Sequence, residues 1–331
     1  MRRRELITGL VGAAAIPTLL TVRSSGQQPH RRRVVGVIAP FAPSDPAAQS
    51  WLAAFRDALT TLGWSEGSSL RIELRWADPA GISVFAKELV DRQPDAILGL
   101  TTPVIAALTR ETRTIPIVFA IVSDPIGNGF AASLAHPGGN ITGFTNIEST
   151  MGGKWVELLK EIAPHTMRVA LLFNPATAAP IKFFVPSIQA ASASFAIEAS
   201  AAPVHAKEEI ETIIAAQAHD SGGSLIALPD PFNVANRDLL VSLANRYRIP
   251  AMYSAVESVR SGGLIAYGVD FLESLRQAAE YIDRILRGAT PADLPIQNPT
   301  KFNLAVNLKT AKTLGLSVPL SLQTGANEVI K

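Results

Sequence analysis

The sequence predicts an α/β protein of two Rossmann-like lobes, each a parallel sheet flanked by helices. Three observations predict it. From Arg33 onward, short apolar runs alternate with stretches of helical spacing, the pattern of βαβ units. The alternation runs through twice, in similar order and size, with the break near Asn146–Gly153. The 331 residues, 47% hydrophobic and 18% charged, suffice for two domains with cores of their own.

In the first half, Val34–Ala39 is a continuous apolar run, as in a strand covered on both faces. Ala47–Leu62 carries Leu52, Phe55, Leu59 and Leu62 at helical spacing, and Gly63 stops it. Leu70–Trp76 alternates apolar and polar residues and predicts a strand near a sheet edge. Helix Ile82–Asp91, buried strand Asp95–Leu100 and helix Pro103–Thr112 follow, the last with proline in its first turn. Strand Ile115–Ile121, a short helix at Asn128–Leu134 and strand Ile141–Thr145 complete this half. The second half reads as helix Lys154–Ile162, strand Arg168–Phe173, helix Ile181–Ser194, strand Ala196–Val204 and helix Glu208–Ala218. Strand Ser224–Leu228, helix Val234–Tyr247 and strand Pro250–Tyr253 come next. Gly262-Gly263 leads into strand Leu264–Val269 and helix Leu272–Leu286. A proline-rich linker, strand Phe302–Val306 and two helices end the chain.

Composition excludes several functions. The net charge is only +2, with much of the basic excess in Arg2–Arg4 and Arg31–Arg33. There is no basic face with interleaved aromatics, so nucleic acid is not a partner. Without cysteine there is no disulfide framework, thiolate metal site or cysteine nucleophile. The five histidines are scattered with no metal-ligand spacing, and no metal is expected. Glycine-rich dinucleotide and phosphate loops are missing, as is a nucleophile elbow, so no cofactor is implied. Residues 1–30 read as an export signal: Arg2–Arg4 precede the apolar run from Leu6 to Val22, which Pro17 interrupts. Arg3-Arg4-Glu5-Leu6-Ile7 resembles a twin-arginine signal, which predicts the periplasm and the export machinery as a partner; an uncleaved signal would leave a membrane anchor.

In open α/β sheets, ligands bind beyond the carboxyl ends of the strands. Those places hold Phe41, Thr101, Thr102, Asp124 and Asn146 in the first half, and Asn174, Asp230, Phe232 and Tyr253 in the second. Thr101 and Thr102 precede a helix, where hydroxyls and free amides hold an anion or simply cap the helix. A buried Asp230 needs a partner, either a ligand ammonium or the amides of the helix it would cap. Phe41, Phe232 and Tyr253 serve as pocket walls or as core.

Several stretches form a recognisable series: Asp124-Pro125-Ile126-Gly127, then Pro137 to Gly143, then Gly262 to Asp270. The tail adds Pro291 to Gln297, Pro299 to Phe302, Asn307 to Lys312, Leu314-Gly315-Leu316 and Val318-Pro319. Together they resemble the ABC transporter substrate-binding family that includes tryptophan- and phenylalanine-binding members, from about Arg33 to the end. The resemblance implies a type I periplasmic-binding-protein fold with three crossovers and a ligand in the cleft. It places 33–148 with about 264–290 in an N-terminal lobe, and 149–262 with about 300–331 in a C-terminal lobe. It implies a monomeric, non-enzymatic receptor that binds an amino acid or small organic acid by hinge closure and serves permease subunits in the inner membrane. Thr101 and Thr102 match the turn that holds the ligand carboxylate, Asp124 the D-P-x-G turn, and Asp230 the position facing the ligand amine. After the second-lobe strand the chain reads Asn174-Pro175-Ala176-Thr177-Ala178-Ala179-Pro180, keeping only Asn174 of the family's segment. The resemblance therefore carries the fold rather than an aromatic specificity. Two other functions share such lobes: an enzyme of the sugar-nucleotide epimerase or glycosyltransferase type, and a ligand-sensing regulator domain.

Overall fold

The computed structural model describes residues 32–78, 80–177 and 181–331, and the segment 1–30 that reads as an export signal lies outside them. The first half holds β1 (Arg33–Ala39), α1 (Pro46–Thr61), β2 (Leu70–Trp76), α2 (Ile82–Asp91), β3 (Ala96–Leu100), α3 (Thr102–Glu111), β4 (Ile117–Val122) and β5 (Ile141–Thr145). These strands form one parallel sheet in the order β2-β1-β3-β4-β5, with the alternating strand β2 at its edge. Burial follows the apolar pattern: β3 and β5 are buried throughout, whereas β2 is only partly covered.

The second half holds α4 (Met151–Ile162), β6 (Arg168–Phe173), α5 (Ile181–Ser194), β7 (Glu198–Pro203), α6 (Glu209–Ala218) and β8 (Gly223–Ala227). It continues with α7 (Pro231–Ala235), α8 (Arg237–Arg246), β9 (Ala251–Tyr253), α9 (Val256–Arg260), β10 (Ile265–Val269) and α10 (Phe271–Leu286). After a short 3-10 turn at Pro291–Asp293 come β11 (Phe302–Asn307), α11 (Leu308–Thr313), α12 (Leu320–Gly325) and β12 (Glu328–Ile330). The second sheet runs β12-β11-β10-β9-β8-β6-β7.

The chain passes between the sheets three times: from β5 to α4, from β10 to α10, and between Gln297 and Phe302. This explains the antiparallel β10–β11 pair. Strand β10 ends at the gap between the lobes, and the chain re-enters the second lobe from the same gap. Strand β11 must therefore run the other way, and the Asp270 N–H donates to the Lys301 carbonyl at 3.0 Å where the two passages meet.

One assignment is corrected. The segment 264–290 was expected in the first lobe, but β10 pairs with β9 and β11 in the second sheet. Helix α10 alone lies on the first lobe, where Leu275, Ala278 and Ile282 share a core with Leu52, Phe55 and Leu59 of α1. Asp283 on α10 accepts from Trp64 Nε1 at 2.8 Å and from Arg287 Nε at 2.6 Å. Strand and helix are thus split by the gap, a division that apolar periodicity does not mark.

Smaller differences have local causes. Asn128–Leu134 forms turns rather than a helix, with Gly129 at φ 72° and the Asp124 carboxylate accepting from the Gly127 N–H. The expected helix Val234–Tyr247 begins earlier and is broken at Asn236, which leaves helical geometry at φ −105°. Helix α9 and strand β12 were not anticipated, being five and three residues long. In the second lobe, α4 packs on α5 through Trp155 and Phe184, with ring centroids 5.0 Å apart.

Close backbone approach fixes one glycine. Gly143 on β5 has φ 150°, and a Cβ there would lie 2.1 Å from the Phe119 carbonyl oxygen. Gly143→Ala is expected to destabilise the protein by about 2–3 kcal/mol or more, because backbone rather than a side chain must move. Urea denaturation of the variant and the parent checks this.

Candidate functional site

The first-lobe rim is built at the carboxyl ends of β3, β4 and β5. Three of the six non-glycine residues with positive φ among the described residues lie here: Thr101 (75°), Ile121 (61°) and Asp124 (47°). Two are β-branched, for which this geometry is unfavourable by about 1–3 kcal/mol each. A register shift between Phe119 and Val122 accompanies the turn at Ile121. Hydrogen bonds hold the rim in place. Thr101 N donates to the Ala120 carbonyl at 3.1 Å, and Ser123 N to Thr102 Oγ1 at 3.0 Å. Ser123 Oγ donates to Asn146 Oδ1 at 2.9 Å, and Asn146 N to the Val122 carbonyl at 3.1 Å. Thr102, Ser123 and Asn146 thereby join three strand ends.

Helix α3 starts at this rim. Thr101 occupies its cap position but makes no side-chain cap, and Pro103 has no N–H. The first turn keeps unbonded amides and the positive end of the helix dipole, an arrangement that suits a carboxylate.

The second-lobe rim is internally satisfied. Asp230 is buried and caps α7, its Oδ1 accepting from Phe232 N at 2.9 Å and from the Thr177 hydroxyl at 2.5 Å. Its Oδ2 accepts from Asn174 N at 2.6 Å. The Asn174 side chain closes its own turn by accepting from Ala176 N at 2.8 Å. Asp230 therefore ties the loop after β6 to the loop after β8, and Phe232 packs on the second-lobe core.

Between the lobes lies a cavity walled by Phe41, Trp51 and Phe271 on one side and by Asn233, Arg237 and Tyr253 on the other. The first three rings stack edge to face, Phe41 on Trp51 at 5.4 Å and Trp51 on Phe271 at 5.3 Å. Tyr253 is buried, which pushes its phenol well above the usual range and keeps it protonated. Arg237 Nε donates to Asp238 at 3.1 Å, and that bond holds the Asp238 carboxyl below its usual range. Across the gap, Lys182 of α5 pairs with Asp124 at 3.2 Å.

The structure thus brings Phe41 and Tyr253 to one cavity. It groups Thr101, Thr102, Asp124 and Asn146 along the first rim, and turns Asn174, Asp230 and Phe232 into the second lobe's own framework. Trp51, Phe271, Asn233 and Arg237 were missed, because they lie within or at the starts of helices rather than at strand ends. A separate depression lies at the opposite end of the second sheet, around His165, Asp220 and Arg248. There Asp220 is engaged by His219 and Arg168, which together hold its carboxyl below the usual range. Among the described residues, no group of three or more acidic or histidine side chains could hold a metal ion. No described helix is long and apolar enough to cross a membrane.

The family described as ABC transporter substrate binding protein matches residues 35–330. A curated tyrosine-binding protein from Clostridioides difficile (strain R20291) is 27% identical over 272 residues, 79% of this chain and 75% of that one. An ABC domain in complex with L-Trp from Streptococcus pneumonia superposes with TM-score 0.81 at 24% identity, covering 90% of this chain and 100% of that one. The ligand-free, open structure of a substrate binding protein with adhesive properties from Clostridium difficile gives TM-score 0.72 at 22% identity, covering 90% and 99%.

Asp230→Ala would orphan three donors and loosen two loops at once. It is expected to cost about 3 kcal/mol, the scale of losing hydrogen bonds to a buried charged acceptor. Thermal unfolding of the ligand-free variant measures it, and a loss confined to ligand affinity would contradict the structural role.

Proposed function

The chain belongs to the ABC transporter substrate-binding protein family, and from that premise we propose that it is the exported, periplasmic receptor of an importer, specific for an amino acid with an apolar or aromatic side chain. One observation carries the reading. A cavity with aromatic walls contributed by both lobes lies in the same interlobe gap as an uncapped helix N-terminus with two threonines beside it.

The ligand carboxylate binds at the first turn of α3, with Thr101 and Thr102 supplying hydroxyls. The side chain enters the aromatic cavity, where burial supplies affinity and a few polar groups supply orientation. The tyrosine-binding relative and the L-Trp complex favour an aromatic side chain. Closure turns the lobes about the three passages. The Lys182–Asp124 pair forms when the rims meet, and so favours the closed state. The closed receptor, a monomer, presents both rims to permease subunits in the membrane and releases its ligand unaltered. An enzymatic reading would need two carboxylates converging on the cleft. Asp124 is instead engaged by Gly127 and Lys182, and Asp230 by its own lobe.

A thermal-shift screen of the amino acids and small organic acids tests this. L-tyrosine or L-tryptophan is expected to raise the melting temperature, with 1:1 stoichiometry by calorimetry and the ligand recovered unchanged by mass spectrometry. At a hundredfold excess over Kd the stabilisation is about 2.7 kcal/mol. No shift with any of these compounds, or conversion of one of them, would overturn the proposal. Lys182→Met is expected to weaken binding by roughly two- to fivefold, the range of an exposed ion pair. The effect shrinks as salt is raised.

A further inference from the structure

We infer that Asn233 is a specificity-determining residue, its side-chain oxygen being the fixed acceptor that reads a hydrogen-bond donor on the ligand's ring. The inference rests on the reading above, that an aromatic amino acid occupies the cleft.

Asn233 is 6% exposed and lines the interlobe cavity. Its Nδ2 donates to two backbone carbonyls, Leu172 at 2.9 Å on β6 and Leu228 at 2.9 Å just after β8. Both amide hydrogens are committed. Reversing the amide would lose both bonds and set oxygen against oxygen, so its orientation is fixed by the framework. The Oδ1 atom is left buried without a hydrogen-bond partner among the described residues. A buried acceptor in that state is unfavourable and is satisfied when a donor arrives.

The setting restricts the donor. Phe41, Trp51, Phe271 and Tyr253 share the cavity with Asn233, so the arriving group is carried on an aromatic body. A phenol O–H or an indole N–H meets both requirements; an unsubstituted phenyl ring meets only the apolar one. A site built to hydrogen-bond a substrate group rejects the analogue lacking it, because the protein's own polar atom stays unpaired. Of the neighbouring carboxylates, Asp45 accepts from Ala47 N and Ala48 N, whereas Glu257 lies 3.9 Å from an Arg260 that is hydrogen-bonded to Glu328, and so is the rival acceptor that the variant distinguishes.

The test compares matched ligands by calorimetry on the purified protein: L-tyrosine against L-phenylalanine, and L-tryptophan against its 1-methyl derivative. In at least one pair, the donor-bearing member is expected to bind at least about tenfold more tightly, and the difference is expected to collapse in Asn233→Ala. If that variant does not fold, Asn233→Leu, of similar volume, removes the acceptor while keeping the wall packed, and the difference is expected to collapse there as well. Equal affinity within both pairs overturns the inference alone and leaves the receptor reading intact. A preference that survives in folded Asn233→Ala also overturns it and moves the recognition to Glu257 or Tyr253. Failure of all four compounds to bind overturns the aromatic reading and this inference together.

Discussion

Every strand of both sheets except β11 and its parallel neighbour β12 ends at the gap between the lobes, and the chain has to cross that gap three times. Much of the rest follows from this. Strand ends are where loops are free to carry polar groups, so both rims are made of loops facing one another. The crossings decide which pieces belong to which core. Helix α10 is delivered to α1 although the strand before it is not. The last passage returns through Leu294 and Ile296, buried against the first lobe, and Gln297, paired to Phe144, before β11 enters the second sheet. The Asp270–Lys301 and Gln297–Gly143 hydrogen bonds tie two of these passages to each other and the last one to the first lobe.

The two rims answer the same demand differently. The first holds strained backbone at Thr101, Ile121 and Asp124 and keeps its helix start uncapped. The second is relaxed at its carboxylate, because Asp230 collects donors from two loops and from its own helix. Strain of this kind persists only where the surroundings over-determine it. Here the Thr102–Ser123–Asn146 bonds and the tight Gly143–Phe119 approach do so. One rim therefore offers amides and hydroxyls, and the other offers a stiff floor.

Sequence patterning reaches the architecture more easily than the site. The buried strands β1, β3 and β6 are continuous apolar runs, and the edge position of β2 is visible in its alternation. The lobe of β10 is not visible, because a buried strand has the same composition in either sheet. The threonines and Asp124 are found by looking beyond strand ends, and so are Phe41 and Tyr253. Trp51 and Phe271 escape that search. Each lies on a helix whose apolar stripe also serves the core, and only the juxtaposition of α1 with α10 sends their rings into the gap. Asn233 escapes for a related reason: in sequence it is one polar residue in a short helix, and its committed Nδ2 depends on carbonyls 61 and 5 residues away.

Asp230 and Asn233 together show how a receptor lobe can be both rigid and receptive. Asp230 fixes the start of α7, and the Leu172 and Leu228 carbonyls fix the amide three residues on, so the wall is shaped before any guest arrives. Pre-organisation of this kind lowers the ordering cost of binding. It also means that an oxygen without a partner among the described residues is held in place at the expense of stability, a trade common at functional sites. A core designed only to fold would have closed that bond internally, as the same lobe does at Asp230. That a five-residue helix and the residue capping it hold both solutions, the satisfied carboxylate turned into the lobe's own framework and the unsatisfied amide in a residue that lines the cavity, separates holding the lobe together from recognising what enters it.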